Sequence, residues 1–303
     1  AVAALSWGLS ASVVRFAVSA EVFGVNDLLC SLLLLFLVQY FKTNALRWMH
    51  FGAFVIGLCV CNQHTAALFI LPVIVLVLLR SALRGEMTHV LRIPNVVAIL
   101  CSGLLGLSPL AYLFLTCQWD VQWRFADTCT VSGVWRALIR ADYGTFTLGL
   151  FGETGTLAEG AWRYVKALWA DLPRSVTLLC FVGTCIGLHD SRWATAALVS
   201  CWVSYVAVFF GLAVKPTTPL QETILERFHM QPNLVIVVLS GLGLEACARK
   251  IGRLCWLLVA VDVGQHAFSV LKLHGSADNW LFPAYAKAVL EALPRARGFP
   301  PIV

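Results

Sequence analysis

Runs of about 20 consecutive apolar residues recur along this chain, and they limit its fold more than any other feature. VFGVNDLLCSLLLLFLVQYF (22–41) and VVAILCSGLLGLSPLAYLFL (96–115) each have the roughly 20 residues needed to cross about 30 Å of hydrocarbon. The chain is 59% hydrophobic and 13% charged, against about 25% charged residues in an ordinary soluble domain. No soluble core absorbs so much apolar surface. The expected fold is all-α, a polytopic transmembrane helical bundle in a single hydrophobic domain.

About nine apolar segments are expected, near 2–19, 22–41, 52–61, 65–79, 94–115, 175–188, 193–213, 233–247 and 254–271. The third and fourth are too short to span separately, and Asn62, Gln63, His64 and Thr65 lie between them. They read either as one long crossing or as a hairpin of half-helices. Lys and Arg decide, because short cytoplasmic loops are enriched in both. With the hairpin, Lys42, Arg47, Arg80, Arg84, Arg92, Arg192, Arg249, Lys250 and Arg253 share one side, while the opposite short connectors carry Lys215 and Arg227. A single crossing scrambles this asymmetry, so the hairpin is preferred. A polar turn within the membrane implies a cavity that satisfies it.

The net charge of +6 comes from 22 basic residues spread thinly between apolar runs. They form no basic stripe, so no nucleic-acid partner is expected. Most of the 11 cysteines lie inside apolar runs and read as packing residues. Cys117 and Cys129 share one loop and are a candidate disulfide in an oxidising lumen. No CxxC or HExxH pattern occurs, and no metal site is expected. Walker, nucleophile-elbow and dinucleotide motifs are likewise missing from the sequence.

With this orientation, the polar clusters converge on the non-cytoplasmic face, which carries residues 20–27, the NQHT turn, a long loop at 116–174 and the stretch 215–233. Within the long loop, Leu157, Ala161, Val165, Leu168, Trp169 and Leu172 recur at helical spacing. They predict a helix in the membrane interface, anchored by Trp162 and Trp169.

Ionisable residues beside or within spans are expensive and are functional candidates. Glu21 reads as such a group, or as a helix cap or partner of Arg15; a cap or favourable helix dipole accounts for Asp27. His64 can donate to an anionic ligand or move a proton, with Asn62 and Gln63 adding amide donors and acceptors; the alternative is a histidine that satisfies broken backbone. Trp119, Trp123 and Phe125 interleave with Asp120 and Asp127, a mixture that suits a sugar face or an interfacial belt. Arg140, Asp142, Tyr143, Glu226, Arg227 and His229 add further polar groups. Arg227 suits a phosphate because its guanidinium makes bidentate contacts; the alternative is an ion pair with Glu226 or Glu222.

AEVFGVND (20–27), GLCVCNQHT (57–65), the spacing from Trp123 through Asp127 to RADYGTF, and ERFHMQPN (226–233) resemble one family. They are similar to the eukaryotic endoplasmic-reticulum protein O-mannosyltransferases that modify plexin-type IPT domains. The resemblance implies a GT-C-like fold with a lumenal active site, in a multi-pass protein of the endoplasmic reticulum membrane. It implies transfer of mannose from a dolichyl-phosphate-linked donor to Ser or Thr of a protein acceptor, by inverting displacement with a carboxylate base. The lipid-linked donor is a substrate, and no further cofactor is implied. Asn62, Gln63, His64 and Arg227 are then expected on the donor phosphate. Trp123, Asp127, Asp142, Tyr143, Glu226 and His229 are expected on the substrate.

In such enzymes the base usually lies in the first lumenal loop, which is expected upstream of Ala1; Glu21 and Asp127 are the candidates within this chain. The family usually has Gly before the loop Asp, where this chain has Ala126. Residues 1–274 are expected to form the bundle and 275–303 to begin a lumenal domain that is cut off, so that the chain alone is expected to be inactive. A transporter or a non-catalytic membrane scaffold is the alternative. A transporter should place its polar groups at midplane and often shows a repeated half, and no repeat is evident.

Overall fold

The computed structural model describes residues 2–16, 22–117, 119, 128–139, 156–210, 222 and 225–276. Among them every regular element is helical, and the described parts of all nine apolar segments lie largely in helices. The first segment is broken in two, α1 (Val2–Gly8) and α2 (Ala11–Phe16). Ser10 interrupts it and caps the second piece, its hydroxyl accepting from the Val13 amide at 3.4 Å, a local bond that competes with continuous helix.

Next come α3 (Phe23–Thr43), α4 (Arg47–Asn62), a 3-10 turn at His64–Ala66, and α5 (Ala67–Leu83). At the far end of α3, Tyr40 Oη lies 3.2 Å from Ser81 Oγ of α5. Arg80 Nη2 of α5 donates to the Phe41 carbonyl at 2.9 Å and to Asn44 Oδ1 at 2.7 Å. Thus α3 and α5 run the same way and α4 runs back between them, which makes 47–83 a hairpin. Its arms are longer than half-helices. The 16 residues of α4 extend roughly 24 Å, because helical hydrogen bonding continues through Arg47, Trp48, Met49 and His50, beyond the apolar window. The NQHT turn therefore lies level with the start of α3, at one end of the bundle.

After a short α6 (Met87–Val90), α7 (Ile93–Gly106) and α8 (Ser108–Thr116) bend by 42°. Pro109, in the first turn of α8, lacks the N–H that a straight helix needs. Two more helices belong to the long loop, α9 (Val131–Leu138) and α10 (Leu157–Asp171). The latter opens with a capping box, Thr156 and Glu159 each satisfying the other's amide. It then turns through 118° into α11 (Arg174–Asp190), so it runs nearer crosswise than parallel to α11. Its protein-facing side is Gly160, Tyr164, Leu168 and Asp171, while Leu157, Trp162, Val165 and Trp169 face outward. Of the predicted apolar face, Leu168 and Leu172 are buried and Ala161 packs against the core, while Leu157, Val165 and both Trp anchors suit contact with lipid.

The described residues end with α12 (Arg192–Ser204), its π-helical extension Tyr205–Phe210, a 3-10 turn at Arg227–His229, α13 (Met230–Ile251) and α14 (Leu254–Ser276). Helix α13 is the buried axis of the bundle and packs along α11. The two meet through glycine: a Cβ on Gly183 would stand 1.8 Å from the Leu239 carbonyl oxygen, and one on Gly243 2.1 Å from that of Leu179. Gly57 and Gly106 do the same for α4 and α7, at 2.3 Å and 2.1 Å from backbone oxygens. Close backbone approach through small residues is how membrane helices gain packing energy where lipid is as apolar as the core.

Phe23–Thr43, His64–Leu83, Arg192–Phe210 and Leu254–Lys272 are long and apolar enough to cross a membrane, which makes four spans, or up to six if the bent pairs α7–α8 and α10–α11 each count as one. The chain is an all-α polytopic membrane protein. Its outer surface carries Leu100, Leu104, Phe181, Leu258 and Phe268, each more than half exposed, as a lipid-facing wall requires. Lys42, Arg80, Arg84 and Arg192 meet at one end of the bundle, the grouping that the loop charges predict. The other end is polar, with Arg15, Asp27, Asp171, Glu226 and Arg227 among its described residues.

Candidate functional site

The polar end is assembled from the starts of α3, α11 and α13, the ends of α2, α4 and α10, and the two 3-10 turns. Asn62 Nδ2, at the end of α4, donates to the Val22 carbonyl at 3.1 Å. Arg227 stands over the Phe23 ring, 5.5 Å from its centroid, a cation–π distance. The same Phe23 packs edge-on against Phe228 at 4.9 Å. Asn62 and Arg227 thus flank consecutive residues directly after Glu21, although Glu21 itself lies outside the described residues.

His64 turns elsewhere. Its Nε2 is bonded to the Leu138 carbonyl at the end of α9, which docks the long loop onto the hairpin. Gln63 is buried with its side-chain oxygen unpartnered among the described residues. Thr65 donates to Gln231 Oε1 at 3.2 Å. Just inside α3, Asn26 and Asp27 are almost fully buried, and neither side chain has a partner among the described residues. Asp27 therefore does not cap the helix, whose first cap position is Val22; it is buried within the bundle.

Glu226 gives its carboxylate to Arg15 of α2, at 2.6 Å. The ion pair between Glu226 and Arg227 offered as the alternative reading of ERFHMQPN is not the one formed. His229 is buried against Tyr164 and Phe210, with ring centroids 5.7 Å and 5.2 Å away. Burial, with repulsion from Arg163, pushes its imidazole down to about 4, so it is neutral at neutral pH.

Sequence reasoning passed over Asp171. Its carboxylate accepts from the Ser12 amide at 2.6 Å, the Ser12 hydroxyl at 2.8 Å and Asn233 Nδ2 at 2.6 Å. A relay continues from Asn233, whose Oδ1 accepts from Tyr164 Oη at 2.9 Å, which in turn accepts from Trp202 Nε1 at 3.0 Å. Ser12, Arg15, Asp171, Glu226 and His229 border a cleft of about 190 Å³. Carboxylates, a neutral imidazole and a guanidinium therefore share one small opening, enough for hydrogen bonding to a polyol and for proton transfer. The only signal in the sequence was an acid ending an amphipathic helix just before Pro173, common enough to pass for a cap or an exposed terminus.

Trp123, Asp127, Asp142 and Tyr143 lie outside the described residues, as does the expected second domain at 275–303 apart from residues 275 and 276, which end the last described helix. Cys129 Sγ lies 3.3 Å from the Cys117 carbonyl oxygen, so the two loop cysteines are neighbours.

Residues 1–86 match the family described as Protein O-mannosyl-transferase TMEM260 N-terminal domain. Over 93% of its length the chain is 26% identical to protein O-mannosyl-transferase TMEM260 of Mus musculus, and over 92% it is 24% identical to protein O-mannosyl-transferase tmem260 of Dictyostelium discoideum. No solved structure matches it. The chain spans 42% and 39% of the length of these two relatives, and along nearly all of its own length it is similar to proteins named for protein O-mannosyl transfer.

Proposed function

We propose that this chain is the membrane-embedded part of a glycosyltransferase that moves mannose from a dolichyl-phosphate carrier to Ser or Thr hydroxyls of proteins in the lumen of the endoplasmic reticulum. The observation that carries this reading is the gathering of Asn62, Arg227, Glu226 and His229 at one end of an apolar bundle, in a chain similar to proteins named for protein O-mannosyl transfer. A carrier dissolved in the bilayer needs an enzyme whose polar site opens beside lipid.

In the reaction, the acceptor hydroxyl oxygen bonds to the anomeric carbon of mannose while the bond from that carbon to the phosphate oxygen breaks. The hydroxyl proton passes to a carboxylate, worth about 10²- to 10⁴-fold in rate. Glu21 and Asp127 are the candidates within this chain for that base. The negative charge released on the phosphate is received by Arg227, with Asn62 and Gln63 as amide partners. His64, through Leu138, holds the end of α9, and Trp123, Asp127, Asp142 and Tyr143 are the residues assigned to the sugar.

Native mass spectrometry of the purified chain with dolichyl phosphate mannose tests donor binding, and mannose transfer to an IPT-domain acceptor by a protein containing this chain tests the chemistry. Binding and transfer, both reduced in Arg227→Ala, are the expected result. Failure to bind the carrier, together with solute uptake by proteoliposomes containing the chain, would overturn the reading in favour of a transporter.

A further inference from the structure

The basic end of the bundle holds a second opening, far from the site described above. A cleft of about 690 Å³ runs between the ends of α3 and α5, the turn from α11 to α12, and the middle of α13. Lys42, Arg80, Arg84 and Arg192 line it. A basic excess at the cytoplasmic edge of a membrane protein is ordinary and by itself indicates orientation alone. Arg80 departs from that pattern.

Arg80 is only 1% exposed. A buried guanidinium is expensive unless its five donors are met. Nη2 is met by the Phe41 carbonyl and Asn44 Oδ1, and the rings of Phe41 and Tyr40 lie 4.8 Å and 5.5 Å from the guanidinium carbon. Nη1 has no partner among the described residues. No carboxylate pairs with Arg80, Arg84, Lys42 or Arg192 among those residues: Asp190, also in the cleft, is bonded to His189 at 2.7 Å, and Glu86 accepts from Asn44 Nδ2 at 3.2 Å. The cleft therefore holds a buried cation with one nitrogen unpartnered among the described residues, ringed by Lys42, Arg84 and Arg192.

The remaining wall decides what fills it. Val38, Leu198 and Leu242 give the cleft an apolar side, on helices that cross the bundle. A free inorganic anion would leave that side wet. We propose that this cleft is a binding site for an anionic phospholipid, its phosphodiester on Arg80 and the rim cations and its acyl chains along α3, α12 and α13. A zwitterionic headgroup is disfavoured because its ammonium would face Lys42, Arg84 and Arg192.

Native mass spectrometry of the full chain, exchanged into mixed micelles of phosphatidylglycerol and phosphatidylcholine, tests the proposal. Wild-type protein should retain phosphatidylglycerol in preference to phosphatidylcholine, and millimolar inorganic phosphate should not displace it. Arg84→Gln combined with Arg192→Gln, both exposed rim positions, should weaken retention about tenfold, the equivalent of one charge-assisted hydrogen bond. The melting temperature measured without lipid should stay unchanged. Arg80→Gln should abolish retention, and Arg249→Gln with Lys250→Gln, which line no part of the cleft, should leave it intact. Equal retention of the two lipids, displacement by phosphate alone, or equal losses in the rim and control variants would each overturn the proposal.

Discussion

Asn62 and Val22 are joined by a side-chain to main-chain hydrogen bond of 3.1 Å, which ties the turn of the 47–83 hairpin to the first residue before α3. Two residues later in the hairpin, His64 holds the end of α9, and on the other flank Arg227 covers Phe23. The start of α3 is thereby held between two elements far apart in the chain. A site for a lipid-linked substrate at this end has a fixed floor instead of a frayed helix terminus.

Arg227→Lys should weaken binding of dolichyl phosphate mannose by about tenfold, although the charge is kept. A compact ammonium cannot make a planar bidentate contact and stacks less well on Phe23. The lost cation–π contact should cost about 0.5–1 kcal/mol of stability. Lipid titration followed by native mass spectrometry reads the first effect and thermal melting the second; unchanged donor affinity would remove Arg227 from the site.

Asp171→Asn should destabilise the bundle by about 2–4 kcal/mol. The carboxylate accepts three hydrogen bonds while only 7% exposed. An amide in its place directs an NH₂ at Ser12 or Asn233, donor against donor. Denaturant unfolding of the purified chain checks this, and a change below about 0.5 kcal/mol, the range of ordinary surface substitutions, would mean that the network is not under strain when broken.

Gly183→Ala should cost about 1–3 kcal/mol or more, because its Cβ would stand 1.8 Å from the Leu239 carbonyl oxygen and force α11 away from α13. Gly264→Ala is the contrast. A Cβ there meets nothing within 4 Å, so in the interior of α14 it should be neutral or stabilising by up to about 1 kcal/mol. Melting temperatures of the two variants should move in opposite directions or differ by several degrees.

His229 should make the fold acid-sensitive in a defined window. Its folded value lies near 4 against an ordinary 6.5, so the unfolded chain takes up the proton first as the pH falls. The stability linked to neutral His229 is fully present above about 6.5, falls progressively below it and is lost by about 4, a total of about 3 kcal/mol at most. His229→Gln should flatten the dependence of melting temperature on pH between 7 and 4.5; parallel curves for the two proteins would assign the acid sensitivity elsewhere.

The sequence by itself determined the apolar helices, a reversal of the chain at NQHT and the grouping of basic residues at one end of the bundle, although it read the arms of that hairpin as half-helices. Each depends on local run length or on charge per loop, and lipid enforces both without reference to any partner. It also marked NQHT and ERFHMQPN, because polar residues beside a span are costly wherever they pack. Only the tertiary structure decided the partners. Arg15 takes Glu226, His64 takes Leu138, and Ser12 and Asn233 converge on Asp171 from positions 159 and 62 residues away. The outward turn of Trp162 and Trp169 and the unmet donor of Arg80 belong to the same class. In a membrane both faces of a helix are apolar, so hydrophobic periodicity does not say which face meets protein, and small residues such as Gly183 and Gly243 reveal the contact only once the two backbones are side by side.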